Sequence, residues 1–283
     1  MNDLYPGSIG GAQDWQAWSL ENSGRFILPS PQGGVYGISV AWPSEPPPRS
    51  GFPVVYLLDG NAVFATVVEA SRRGCRRFDM TAIPPAVIVG VGSPRAELYA
   101  ERRQLDFTFT RREENSGGGE AFLSFLRDRL IPRVEASFPA DPHRRSLFGH
   151  SLGGLFSLSV FLNHPGLFRN HLAMSPSIWW DRDGLMATAA ALPARLASLP
   201  RRPSLLMTVG EYEEAPSPWL ASPSSERLMR IKERRMVANV QDMASRLAAC
   251  GPKADVSCMV LASADHGSVV LPSIEHGLRM GFA

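Results

Sequence analysis

The chain has 283 residues, 44% hydrophobic and 20% charged, with a formal net charge of +2. That make-up suits one large globular domain, 1–283, with a substantial core. The charge balance argues against a nucleic-acid partner, no apolar run approaches a membrane span, and three cysteines without a C-x-x-C pair exclude a disulfide framework.

The opening stretch, MNDLYPGSIGGAQDW, has neither a basic start nor an apolar run, so the expected compartment is the cytoplasm, or the periplasm if a leader has been removed. The first strand-like runs are VYGISVAW (35–42) and PVVYLLDG (53–60), and they read as a long hairpin across the proline-rich PSEPPPRSG (43–51). AVIVGVG (86–92) reads as a buried strand, and RREENSGGG (111–119) as a loop. Phe122, Phe125, Leu126 and Leu130 fall near a helical period within EAFLSFLRDRLIPRVEASF. The strand RSLFG (145–149) leads into the helix LGGLFSLSVFLNH, and NHLAMS (170–175) is the next strand. GLMATAAALPARLASL reads as a helix interrupted by Pro193, and PSLLMTVG (203–210) as a strand. After the proline- and serine-rich loop 214–225 come the helix ERRMVANVQDMASRLAAC, the strand DVSCMVLA (255–262) and a last helix. Strands that run apolar without alternation, each followed by a helix, predict an α/β fold: a mostly parallel sheet covered on both faces, with an antiparallel N-terminal edge hairpin.

The stretch FGHSLGGL (148–155) places Ser151 in G-x-S-x-G between a strand and a helix. A sharp turn there crowds Gly149 and Gly153 against neighbouring strands and lifts the serine hydroxyl above the sheet. A serine needs a histidine base and an orienting acid, and in α/β-hydrolases these follow in the order serine, acid, histidine. Of six histidines, His143, His150, His164 and His171 lie too early or too close to Ser151. His266, in the loop ASADHGS after the last strand, is the candidate base, whereas His276 falls within the final helix. Glu211, Glu213 and Glu214 all follow the strand ending at Gly210, with Glu213 where hydrolases of this type usually carry the acid. Asp181 and Asp183 are further options, and Asp265 is too close to His266 in sequence to reach its ring. The two oxyanion donors expected are the amides of Leu152, after the nucleophile, and Asn61, after PVVYLLDG.

With these residues placed, the chain resembles the esterase D-like branch of the α/β-hydrolases, and within it the enterobactin and salmochelin esterases. The resemblance rests on VVYLLDGNAVF (54–64), VGVGSP with RRQLDFTFT (89–110), SGGGEAFLSFLRDRLIPRVEASF (116–138), RRSLFGHSLGGLFSL (144–158), MSPSIWW (174–180), VGEYEE (209–214) and DHG (265–267). It implies the α/β-hydrolase fold and hydrolysis of lactone esters in a catechol-type siderophore, a small-molecule substrate bringing any iron with it. No cofactor or protein-bound metal is implied. A ferric tris-catecholate is a bulky aromatic trianion, so its site should offer arginines and flat apolar surface; Arg102, Arg103, Trp179 and Trp180 are the candidates. The same machinery would also serve a small-acyl carboxylesterase or deacetylase, or persist in a non-catalytic binding protein.

Overall fold

A computed structural model describes residues 18–219 and 224–281. Its frame is one eight-stranded sheet: β1 (Ser23–Pro29), β2 (Val35–Ala41), β3 (Phe52–Leu58), β4 (Val87–Gly92), β5 (Ala140–His150), β6 (Asn170–Met174), β7 (Ser204–Gly210) and β8 (Asp255–Leu261), in the order β1-β2-β4-β3-β5-β6-β7-β8. β1 and β2 are antiparallel to their neighbours, and the strands from β4 onward run parallel.

Ten helices complete the described chain: α1 (Gly60–Cys75), α2 (Phe78–Thr81), α3 (Arg103–Phe107), α4 (Gly119–Phe125), α5 (Ile131–Ser137), α6 (Leu152–Asn163), α7 (Arg182–Leu196), α8 (Ser225–Arg234), α9 (Met236–Leu247) and α10 (Val270–Met280). Side chains alternate across a strand, so β3 feeds two cores at once. Val54, Tyr56 and Leu58 pack with Phe125, Phe156 and Val160 on one face. Val55 and Leu57 pack with Val67, Val68, Ile274 and Leu278, from α1 and α10, on the other. Every residue of β3, β4, β6 and β7 is buried, which is why these strands read as continuous apolar runs.

The edge hairpin differs from the one expected. Residues 35–42 do not pair with 53–60. β2 pairs with β1, whose SGRFILP is mostly exposed and carries little apolar signal, and its other side pairs with β4. β3 lies two strands inward, between β4 and β5 and parallel to both, and every one of its residues is buried.

Three helical expectations are also revised. Pro193 does not interrupt α7, because it sits in the last turn, where its missing N–H forfeits a single bond while Leu185, Ala189, Leu192 and Leu196 stay on the core. Between α4 and α5 the expected single helix carries a π turn at Leu126–Leu130, two residues before Pro132. The helix expected over 233–250 is broken at Arg235, at φ 45°, into α8 and α9. Residues 220–223 of the proline- and serine-rich loop, and the opening 1–17, lie outside the described residues.

Candidate active site

β5 runs straight into α6 through a single residue, Ser151, held at φ 59° and ψ −116°. A side chain other than glycine costs strain in that region, so the turn must be pinned from outside. The Ser151 N–H donates to the Met174 carbonyl at 2.9 Å, and the Ser151 carbonyl accepts from Leu155 and Ser177. Crowding selects the glycines unevenly. A Cβ on Gly149 would meet the Gly153 carbonyl at 2.1 Å, and one on Gly154 would meet the Met174 carbonyl at 2.7 Å. At Gly153 itself the closest contact would be an ordinary 3.4 Å, so the expectation that Gly153 must be bare is corrected: the second crowded position is Gly154.

The loop between β8 and α10 carries His266, and the short 3₁₀ turn after β7 carries Glu213. His266 Nε2 lies 3.0 Å from Ser151 Oγ, and His266 Nδ1 lies 2.6 Å from Glu213 Oε2. Glu213 is 4% exposed; its Oε1 accepts from the Gly210 N–H at 2.8 Å and from the Ser175 hydroxyl. A buried carboxylate is costly unless its oxygens are hydrogen-bonded, and here both are. The other acidic candidates are committed elsewhere. Glu211 accepts from the Ser263 N–H, Glu214 accepts from Ala238 at the start of α9, and Asp181 caps α7. Asp183 is fully exposed beside Arg182. Asp265 accepts from Gly267 and Ser268, bonds that hold its carboxyl down at about 2 and shape the turn presenting His266.

Beneath this trio lies a frame that sequence reasoning missed. His150, one residue before the nucleophile, donates from Nε2 to the His266 carbonyl at 2.7 Å, tying the histidine loop to the elbow. Burial lowers its pKa to about 4, so the ring is neutral at ordinary pH. Ser175, at φ 44°, steadies Glu213. The G-H-S and M-S-P-S stretches were the available signals for both.

The candidate binding residues are redistributed. Arg103 is 17% exposed and spends its donors on Asp59 at 2.7 Å and the His150 carbonyl at 3.0 Å. It braces the elbow through these two bonds. Arg102 pairs with Asp106 at 3.4 Å, over the β2 side of the sheet. Trp180 is 5% exposed and donates to the Thr110 carbonyl, a core tryptophan. Trp179 stays half-buried, with the Arg234 guanidinium 4.6 Å above its ring. Asn61 sits in the first turn of α1 and Leu152 in the first turn of α6, where amides have no acceptor within their helices. The Asn61 side chain is occupied, donating to the Arg95 and Glu97 carbonyls at 2.8 and 2.6 Å.

Two cavities adjoin the trio, one lined by His266 and the other by His150. One, of about 510 Å³, is lined by Tyr212, Trp219, Arg227, Arg230 and Arg234 among others. The second, of about 230 Å³, is mostly apolar and runs along Ala62, Val63, Phe148, Val270 and Leu271. Among the described residues no cluster of three His, Cys, Asp or Glu side chains could hold a metal, and no helix is long and apolar enough to cross a membrane.

A mixed sheet that delivers a serine from a strand–helix elbow to a histidine on a late loop is the architecture of an α/β-hydrolase. Residues 32–242 match the family described as "Putative esterase", and the chain belongs to this esterase family. A ferri-bacillibactin esterase of Bacillus subtilis is 38% identical over 67% of this chain and 70% of its own length. A siderophore triacetylfusarinine C esterase of Aspergillus fumigatus is 33% identical over 93% of this chain and 94% of its own. Among solved structures, the BES protein from Bacillus cereus superposes with a TM-score of 0.83 at 31% identity, covering 95% of this chain and 98% of that one.

Proposed function

We propose that the chain is a serine esterase that opens ester bonds of a catechol-type siderophore through an acyl-enzyme. The observation that carries this reading is the continuous contact from Ser151 Oγ through the His266 ring to buried Glu213. Glu213 holds the imidazole with its proton on Nδ1, which leaves Nε2 free to take the Ser151 proton. The alkoxide attacks the ester carbonyl, and the oxyanion is met by the Leu152 and Asn61 amides at the starts of α6 and α1. His266 then protonates the departing alcohol, and water activated by the same ring releases the acid and restores Ser151.

The siderophore assignment draws support from the names of the relatives and from an open, arginine-lined cavity beside His266. Substrate-borne iron is cargo, and the protein's own chemistry uses none. The whole chain acts as one catalytic domain, and the proposed compartment is the cytoplasm. The test is incubation with enterobactin, iron-free and iron-loaded, with linear products followed by mass spectrometry. Opening of either form by the intact enzyme, and by neither in Ser151→Ala, is expected. Cleavage of simple esters with both siderophore forms left intact would contradict the substrate assignment.

A further inference from the structure

The arginines expected from sequence to meet an anionic ligand, Arg102 and Arg103, are engaged with Asp106 and Asp59. A different set faces the cavity that holds His266. Arg227, Arg230 and Arg234 recur along α8 at helical spacing and share one face. Arg230 and Arg234 also line an adjoining hollow of about 470 Å³ with Trp179, Trp180 and Arg112. The two hollows share Arg230 and Arg234, so α8 forms a trough wall common to the histidine side and the tryptophan side.

The acids near this trough are already committed or exposed. Glu226 is bound to Arg230 at 2.5 Å, Asp265 is held by its own turn, and Glu113 accepts from Gln104. Glu233 is exposed on α8 itself. Arg112 donates to the Trp180 carbonyl at 2.6 Å and lies 5.7 Å from the centre of its ring. Among the described residues, Arg227 and Arg234 have no carboxylate partner. Arg234 is the more telling: it is partly buried, packed on the Trp179 ring at 4.6 Å, and loses affinity for its proton through burial and then through the neighbouring Arg230 charge. Arg234 thus gives up part of its water beside another cation, while Arg227 and Arg230 stand exposed along the same face. An anion entering the trough would relieve both costs, and guanidinium groups with a flanking indole suit a planar, negatively charged acyl group.

We propose that α8 supplies an anion subsite for the acid portion of the ester, with Arg234 at its centre and Arg227 and Arg230 at its rim. This rests on the esterase reading, in that the trough opens onto His266, and it selects substrates by charge: esters of anionic aromatic acids are taken up ahead of neutral ones of the same shape.

The test separates binding from turnover. Benzenedisulfonate and the uncharged benzenedisulfonamide, alike in shape, are titrated into the intact protein by calorimetry. Preferential binding of the disulfonate is expected, weakened about tenfold in Arg234→Gln and less in Arg227→Gln, and reduced in wild type as sodium chloride is raised. In kinetics, the preference for p-nitrophenyl esters of dicarboxylic acids over their methyl-capped counterparts falls with the same variants, through KM rather than kcat. Thermal melting checks that each variant is folded, and the salt series on wild type needs no variant at all. Equal affinity for the charged and neutral probes, or a preference insensitive to both salt and Arg234, would overturn the subsite. Loss of the esterase reading shows separately, as hydrolysis that survives Ser151→Ala.

Discussion

Three glutamates within four residues follow β7, and only one reaches the histidine. The 3₁₀ turn at Glu211–Glu213 points Glu213 inward to His266, while Glu211 and Glu214 bond to the backbone amides of Ser263 and Ala238. Glu213→Gln keeps the shape but offers His266 Nδ1 an amide that can present a donor, so the ring is free to settle in the wrong tautomer. The expected loss in kcat on p-nitrophenyl butyrate is on the order of 10²–10⁴-fold, by analogy with other triads. Glu211→Gln should cost less than about tenfold, since it changes only a loop contact. Comparable losses in both variants would remove the special role given to Glu213. From sequence these residues were separable only by an expected position, because a one-residue change in a turn decides which side chain is buried. His266 was easier to find, being the one histidine on a loop after the last strand.

Among the elements, the elbow was legible and the partners of the arginines were not. G-x-S-x-G between an apolar strand and an apolar helix announces itself, because backbone crowding dictates the glycines. Gly149→Ala and Gly154→Ala drive a methyl into backbone carbonyls at 2.1 and 2.7 Å, whereas Gly153→Ala meets Leu58 at 3.4 Å. The first two should lower stability by roughly 1–3 kcal/mol or more, and Gly153→Ala by much less, as read from denaturant midpoints. Equal tolerance at all three sites would mean the turn is looser than described. Arg102 and Arg103 follow a strand, and their ion pairs with Asp106 and Asp59 are not readable from that position. Arg103 turned inward only because Asp59, forty-four residues earlier in the chain, is buried beneath the same elbow. Conversely, Arg227, Arg230 and Arg234 fall on one helical face, a period readable in SERLMRIKER had the neighbouring break at Arg235 been foreseen.

For the whole molecule, parallel order does the gathering. β3, β5, β7 and β8 run the same way, so Asn61, Ser151, Glu213 and His266 all emerge at their carboxyl ends, at one edge of the sheet. That much follows from repeated strand–helix units. Which strands neighbour each other does not, since β2 pairs with β4 through contacts distant in sequence. The fold also withdraws two histidines from water, His171 fully and His150 in part, and desolvation pushes His150 down to about 4 and His171 to about 3. Between these values and 6.5, the unfolded chain binds more protons than the folded one, so their contribution to stability is full above about pH 6.5 and falls as the pH drops. Asp59 and Asp106, pushed up by burial, act in the opposite sense below neutrality, so a difference between proteins isolates the histidine. Wild type minus His150→Gln should lose on the order of 3 kcal/mol between pH 7 and pH 4. A flat difference would mean that His150 is not held neutral.

Ser151, activated by His266 against Glu213, is the group proposed to attack the ester. Treatment with a fluorophosphonate followed by peptide mapping tests it most directly. A single adduct on Ser151 is expected, with loss of ester hydrolysis in step with labelling and labelling slowed by orders of magnitude in His266→Ala. An unlabelled Ser151 in an enzyme that still cleaves esters, or labelling that proceeds unchanged without His266, would contradict it.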